Sequence, residues 1–153
     1  MQPLSMCTPP PTARAGAWQR RVARWLRPVE IVLRGRVDVA IVIAVFVTAG
    51  AVGGRTGVAV AGVWLLLSGL YCLLNFWLCR ETHCVVTGAG WTPLGLLGLV
   101  AANSSVLPWY RVDIELAGYL VALVAGYALQ SVVAARTGRR ILTRRGRGRA
   151  PAC

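Results

Sequence analysis

The chain has 153 residues, 56% of them hydrophobic and only 14% charged, against roughly 25% charged residues in a soluble domain. A water-soluble fold of this length has too little interior to hide that much apolar surface, which leaves a bilayer as the solvent. The formal net charge of +12 comes entirely from arginine, 17 residues with no lysine. Seven lie between Arg14 and Arg36 and seven between Arg136 and Arg149, while Arg55, Arg80 and Arg111 alone interrupt the middle. That distribution excludes a basic face of the kind that reads nucleic acid.

In chain order, residues 1–36 form an arginine-rich tail. Within it, Trp18, Val22, Trp25 and Val29 recur at helical spacing, with Arg20, Arg24 and Arg27 opposite. Such a segment is expected to lie in the headgroup layer, the alternative being a helix packed on the bundle. Val37 to Thr48, followed by Ala49-Gly50-Ala51, also has the outline of a cleavable signal, and Arg20-Arg21 that of a twin-arginine signal. The leader is long for the first reading, and the arginine pair lies far from the apolar run for the second. A first spanning helix is therefore preferred.

Spanning needs about 20 apolar residues, with a range of about 17–25. The sequence predicts four such segments, at 37–53, 57–79, 93–107 and 114–135, joined by short loops. The second is the most apolar. The third contains Gly95, Gly98, Asn103, Ser104 and Ser105; it is bracketed by Trp91 and Trp109-Tyr110, residue types that favour membrane interfaces. The expected architecture is an all-α polytopic transmembrane bundle of four helices, with an N-terminal amphipathic segment and a free tail at 136–153. Arginine is retained on the cytoplasmic side during insertion. Two basic ends then place both termini in the cytoplasm, in agreement with an even number of spans, and the expected location is the plasma membrane of a bacterium. Arg55 and Arg111 would face outward and residues 80–92 inward.

The chemistry-bearing cluster is Cys79-Arg80-Glu81-Thr82-His83-Cys84. With one more helical turn, Cys79 and His83 share a face at i and i+4, and Cys84 joins from the next turn. Thiolate and imidazole suit zinc, copper(I) or another soft metal ion. A closed zinc site takes four ligands, so Cys79, His83 and Cys84 would need Glu81, water or a second subunit. Cys72 lies about 10.5 Å of helix rise from Cys79, too far to share its ion. The alternative for this stretch is a helix end with incidental cysteines. The five cysteines, Cys7 and Cys153 included, form no disulfide ladder.

Thr87-Gly88-Ala89-Gly90 reads as a turn, with Thr92 as N-cap and Pro93 as first position of the third helix. Ser68, Cys72, Asn75 and Cys79 share one face of the second helix, which should turn inward because Asn75 needs a partner. In the fourth helix, Gly118, Ala122, Gly126, Gln130 and Ala134 form a strip suited to close packing within the bundle or to a homo-oligomer seam. Anionic lipid headgroups are the expected partners of the arginine-rich tails. No aromatic residue is interleaved in the last tail to stack on bases, so nucleic acid is not expected.

The leading functional expectation is a non-enzymatic accessory or membrane-organising component: loops are short and no serine sits in a nucleophile motif. The alternative is a small carrier or sensor of a thiophilic metal through Cys79, His83 and Cys84. Proton-coupled exchange of the kind small four-helix exporters perform is disfavoured. It relies on an embedded carboxylate, and Glu30, Asp38, Glu81, Asp113 and Glu115 are all expected at or outside the interfaces.

Overall fold

A computed structural model describes residues 17–18, 21–22, 24, 36–79, 81–104 and 107–137, with the backbone alone at 36–37 and 78–79. The rest of the arginine-rich tails, with Cys7, Arg80, Ser105 and Cys153, lies outside the described residues. Among the described residues the fold is entirely helical, with four long helices: α1 Arg36–Val52, α2 Gly54–Cys79, α3 Thr82–Asn103 and α4 Val112–Thr137. Three of them, α2, α3 and α4, are long and apolar enough to cross a membrane; α1 is apolar from Asp38 to Val52 but shorter. Its 17 residues rise about 26 Å at about 1.5 Å each.

The exterior is what a lipid solvent demands. Val121 and Val124 on α4 are 68% and 67% exposed, and Ile43, Val47, Leu67, Leu96 and Val100 are exposed on the other helices. The interior mixes small, aromatic and polar residues. Ala49 and Ala61 are fully buried, and Thr82, Thr87, Asn75 and Glu115 are buried with them. Lipid tails are as apolar as leucine, so leucine gains little by turning inward, while small residues let backbones approach.

Helix α3 runs antiparallel to α2 on one side and to α4 on the other. Its contacts with α2 need glycine at matched heights. A Cβ on Gly69 would meet the Thr92 backbone, one on Gly88 the Leu73 side chain, and one on Gly95 the backbone of Gly62 and Leu66. The Gly118, Ala122, Gly126 and Gln130 strip of α4 turns toward α3: Gly118 meets Leu94, Ala122 meets Gly90, and Gly126 meets His83 and Thr87. Helix α1 closes the bundle through Ala49 against Gly57 and Phe46 against Tyr119. At the core, Trp91 stacks on Tyr119 with ring centroids 4.6 Å apart and donates its indole N–H to the Tyr119 carbonyl at 3.1 Å.

The connections correct the expected boundaries. The connection expected between the first two spans shrinks to Gly53, whose φ of 64° only glycine adopts freely. Helix α3 begins at Thr82, not Pro93, and ends at Asn103, not 107. Residues 82–92 of the expected connection are therefore its first half. Thr87-Gly88-Ala89-Gly90 is helical, and each of its glycines admits a neighbouring helix: a Cβ on Gly88 would meet Leu73 and one on Gly90 would meet Ala122. Thr92 and Pro93 sit in mid-helix. Pro93 forfeits one backbone bond on an exposed side, a loss that membrane helices tolerate. Trp91, expected at an interface, is 6% exposed inside the core, whereas Trp109 is exposed. Of the N-terminal amphipathic segment, residues 17–18, 21–22 and 24 are helical, and Trp18 packs edge-on against Trp77 with centroids 4.5 Å apart. Trp25 and Val29 lie outside the described residues.

Candidate functional site

Because α3 starts immediately after α2, the first turn of α3 is not a loop but a buried layer between α2 and α4. Glu81 occupies the N-cap position in extended conformation, without a side-chain cap, and its carbonyl accepts the Cys84 N–H at 3.2 Å. Its carboxylate is thereby left free to turn toward the cluster.

His83 is half-buried and held from several sides. Its Nδ1 donates to Gln130 Oε1 of α4 at 2.7 Å, an assignment that places the lone pair on Nε2. Nε2 lies 3.3 Å from Cys84 Sγ. Glu81 Oε2 is 3.7 Å from Nδ1. The imidazole stacks on Tyr127 of α4, 5.0 Å between centroids and 10° between planes. Thr87 Oγ1 donates to the His83 carbonyl at 2.9 Å, securing that turn. Cys84 is buried, accepts from Asn75 Nδ2 at 3.4 Å and meets the Cys72 thiol across the α2–α3 interface.

One ligand atom from each of Glu81, His83 and Cys84 falls within 4.8 Å of the others. A single ion could gather these atoms with small side-chain rotations. The bond lengths of zinc to imidazole and thiolate set their mutual separation at about 3.5 Å, close to that between Nε2 and Sγ. The bond from Nδ1 to an amide carbonyl is the outer-shell partner that a ligating histidine usually has. Next to the cluster lies a cavity of about 340 Å³. His83 and Cys72 line it together with Asp38, Trp64, Trp91 and Tyr127, so of the three ligands His83 borders open space.

Of the three ligands expected from sequence, His83 and Cys84 come together, while the Cys79 side chain lies outside the described residues. Glu81 takes a place in the set. Cys72 is the residue sequence reasoning set aside: its distance along α2 separates it from Cys79, but the reversal into α3 returns Cys84 to its level. Asn75 points inward as expected and finds Cys84. Asn103 and Ser104 instead donate to the Leu99 and Val100 carbonyls of their own helix. Gln130 carried a usable signal, as the one amide in a strip of small residues.

The acid inventory also needs correction. Glu115, expected at the edge of the fourth span, is 0% exposed among α2, α3 and α4, and Glu81 is buried as well. Both occupy helix ends, Glu115 in the first turn of α4 and Glu81 at the N-cap of α3, so what the tertiary structure adds is their enclosure by neighbouring helices. Comparison with protein-family models, with curated proteins and with solved structures finds no match to this chain.

Proposed function

We propose that this chain is a four-span membrane protein that binds a soft metal ion, copper(I) or zinc, at the cytoplasmic end of its bundle and serves as a small carrier or sensor of that ion. The observation that carries the reading is the meeting of Glu81, His83 and Cys84 within one ion's reach, with His83 fixed through Gln130 and Cys72 beside Cys84. Three donors of mixed nitrogen, sulfur and oxygen type suit a zinc site completed by a fourth ligand such as water, and the imidazole and thiolate among them also suit copper(I). Short connections favour an accessory role on general grounds, but converging ligands give metal binding a specific one.

In this reading both arginine-rich ends stay in the cytoplasm of a bacterium and rest on anionic headgroups, and the thiols face the reducing side. The test uses full-length protein purified in mild detergent, exposed separately to zinc and copper(I), desalted and assayed for metal by mass spectrometry. About one equivalent per chain is expected from this one-ion site, falling to background in the His83→Ala, Cys84→Ser double variant. Equal metal in both proteins would overturn the proposal.

A further inference from the structure

At the opposite end of the bundle from His83, Glu115 occupies the first turn of α4. It is fully buried, and neither Oε1 nor Oε2 has a hydrogen-bond partner. Two glycines make its seat. A Cβ on Gly98 of α3 would coincide with Oε1, and one on Gly62 of α2 would come within 3.3 Å of it. The carboxyl group thus fills space that any other residue at Gly98 would claim.

No countercharge faces it among the described residues. Helices α2 and α3 present Gly62 and Gly98 at the contact. Along α4, Asp113 is exposed and paired with Arg111 at 3.3 Å, and Tyr119 is stacked on Trp91. The acid of α1, Asp38, lines the cavity beside His83. Tyr110, in the connection between α3 and α4, is buried, and its hydroxyl donates to the Leu94 carbonyl at 3.1 Å. Burial, then the neighbouring Glu115, pushes that phenol up to about 12, so it is a neutral hydroxyl already engaged elsewhere. Arg55 and Arg111 instead line an outer cavity of about 530 Å³, whose wall includes Val112 and Leu116 of the same α4 turn.

A buried carboxylate without donor or cation is among the costliest groups a bundle can hold, and an ionisable residue so placed marks a site where something neutralises it. We infer that Glu115 is a proton-binding site: seated between Gly62 and Gly98 it holds a proton exchanged with water of the outer cavity. The exchange moves one proton between a water oxygen and a carboxyl oxygen, with no electron transfer and no other bond changed. After loss of the proton, the side chain leaves the glycine seat for the cavity where Arg55 and Arg111 lie. The site is separate from the metal cluster and does not depend on it.

The test is reaction of the full-length detergent-purified protein with a hydrophobic carbodiimide, which adds to a protonated carboxyl group in apolar surroundings, followed by peptide mass mapping across a pH series. The expected result is a single adduct on Glu115 that declines several-fold as pH rises, and its absence in Glu115→Gln. That variant should elute as wild type does, since the amide mimics the neutral acid. Gly98→Ala, which occupies the oxygen's place, should cut the labelling several-fold. Absence of an adduct on Glu115, labelling indifferent to pH, or aggregation of Glu115→Gln would overturn the inference. So would protection by sodium at fixed pH, which would make the occupant a metal cation.

Discussion

The imidazole of His83 has one nitrogen committed to Gln130 and the other turned to Cys84, so its role as a ligand depends on a residue 47 positions away. Replacing Gln130 with alanine leaves the ligands in place but frees the ring to rotate. The expected outcome is metal affinity weaker by about 10–100-fold, read by competition against a chelator of known affinity, with helical content unchanged. Tyr110 gives a pH prediction of definite sign. Its phenol is pushed from an ordinary value of 10.0 up to about 12 by burial. Below pH 10 the phenol is neutral in folded and unfolded chains alike. Between about pH 10 and 12 the unfolded chain loses its proton first, so folded stability falls as pH rises through that window. Tyr110→Phe should remove this component, and the alkaline decline in melting temperature should be shallower than in wild type. At neutral pH the same variant leaves the Leu94 carbonyl without the hydroxyl and should cost about 1 kcal/mol.

Among the helices, glycines that look alike in sequence have different duties. Gly95 lies where a Cβ would strike the backbones of Gly62 and Leu66, whereas Gly50 has nothing within 4 Å. Gly95→Ala must therefore push α2 and α3 apart, at a cost of about 1–3 kcal/mol for overpacking. Gly50→Ala should be neutral or stabilising by about 0.4–1 kcal/mol, because it restricts the unfolded chain without a clash. Thermal unfolding of the two variants in one detergent checks the contrast. The same logic explains why glycines near the start of α3 do not end it. A turn signal in water is a packing signal in lipid, because an unbonded turn has no solvent to satisfy it.

At the scale of the whole molecule, an apolar exterior around an interior that also encloses Asn75, Thr82, Thr87 and Glu115 differs, among the described residues, from what a water-soluble domain shows. The expressed protein should sediment with membranes and leave them only with detergent. A reporter fused after Cys153 should be active on the cytoplasmic side, since arginine clusters resist translocation; activity on the outer side alone would invert the proposed placement of the metal cluster. Glu115 and the His83 cluster lie at opposite ends of α3 and α4 and share no side chain. Substitutions at one should therefore add to substitutions at the other within about 0.3–0.5 kcal/mol in stability.

By itself the sequence determined the helical character, the apolar stretches and the candidate chemistry at His83 and Cys84, because hydrophobicity and composition add along the chain without reference to neighbours. It also placed Asn75 on an inward face and gathered Gly118 to Gln130 on one face, since helical period is a local property. Tertiary structure decided everything that depends on which heights meet. It carried α3 back to Thr82, set Cys84 beside Cys72, joined Gln130 to His83, and enclosed Glu115 between Gly62 and Gly98. Those contacts follow from the antiparallel register of three helices, and register is set by the summed fit of side chains across two interfaces, a quantity no single segment contains.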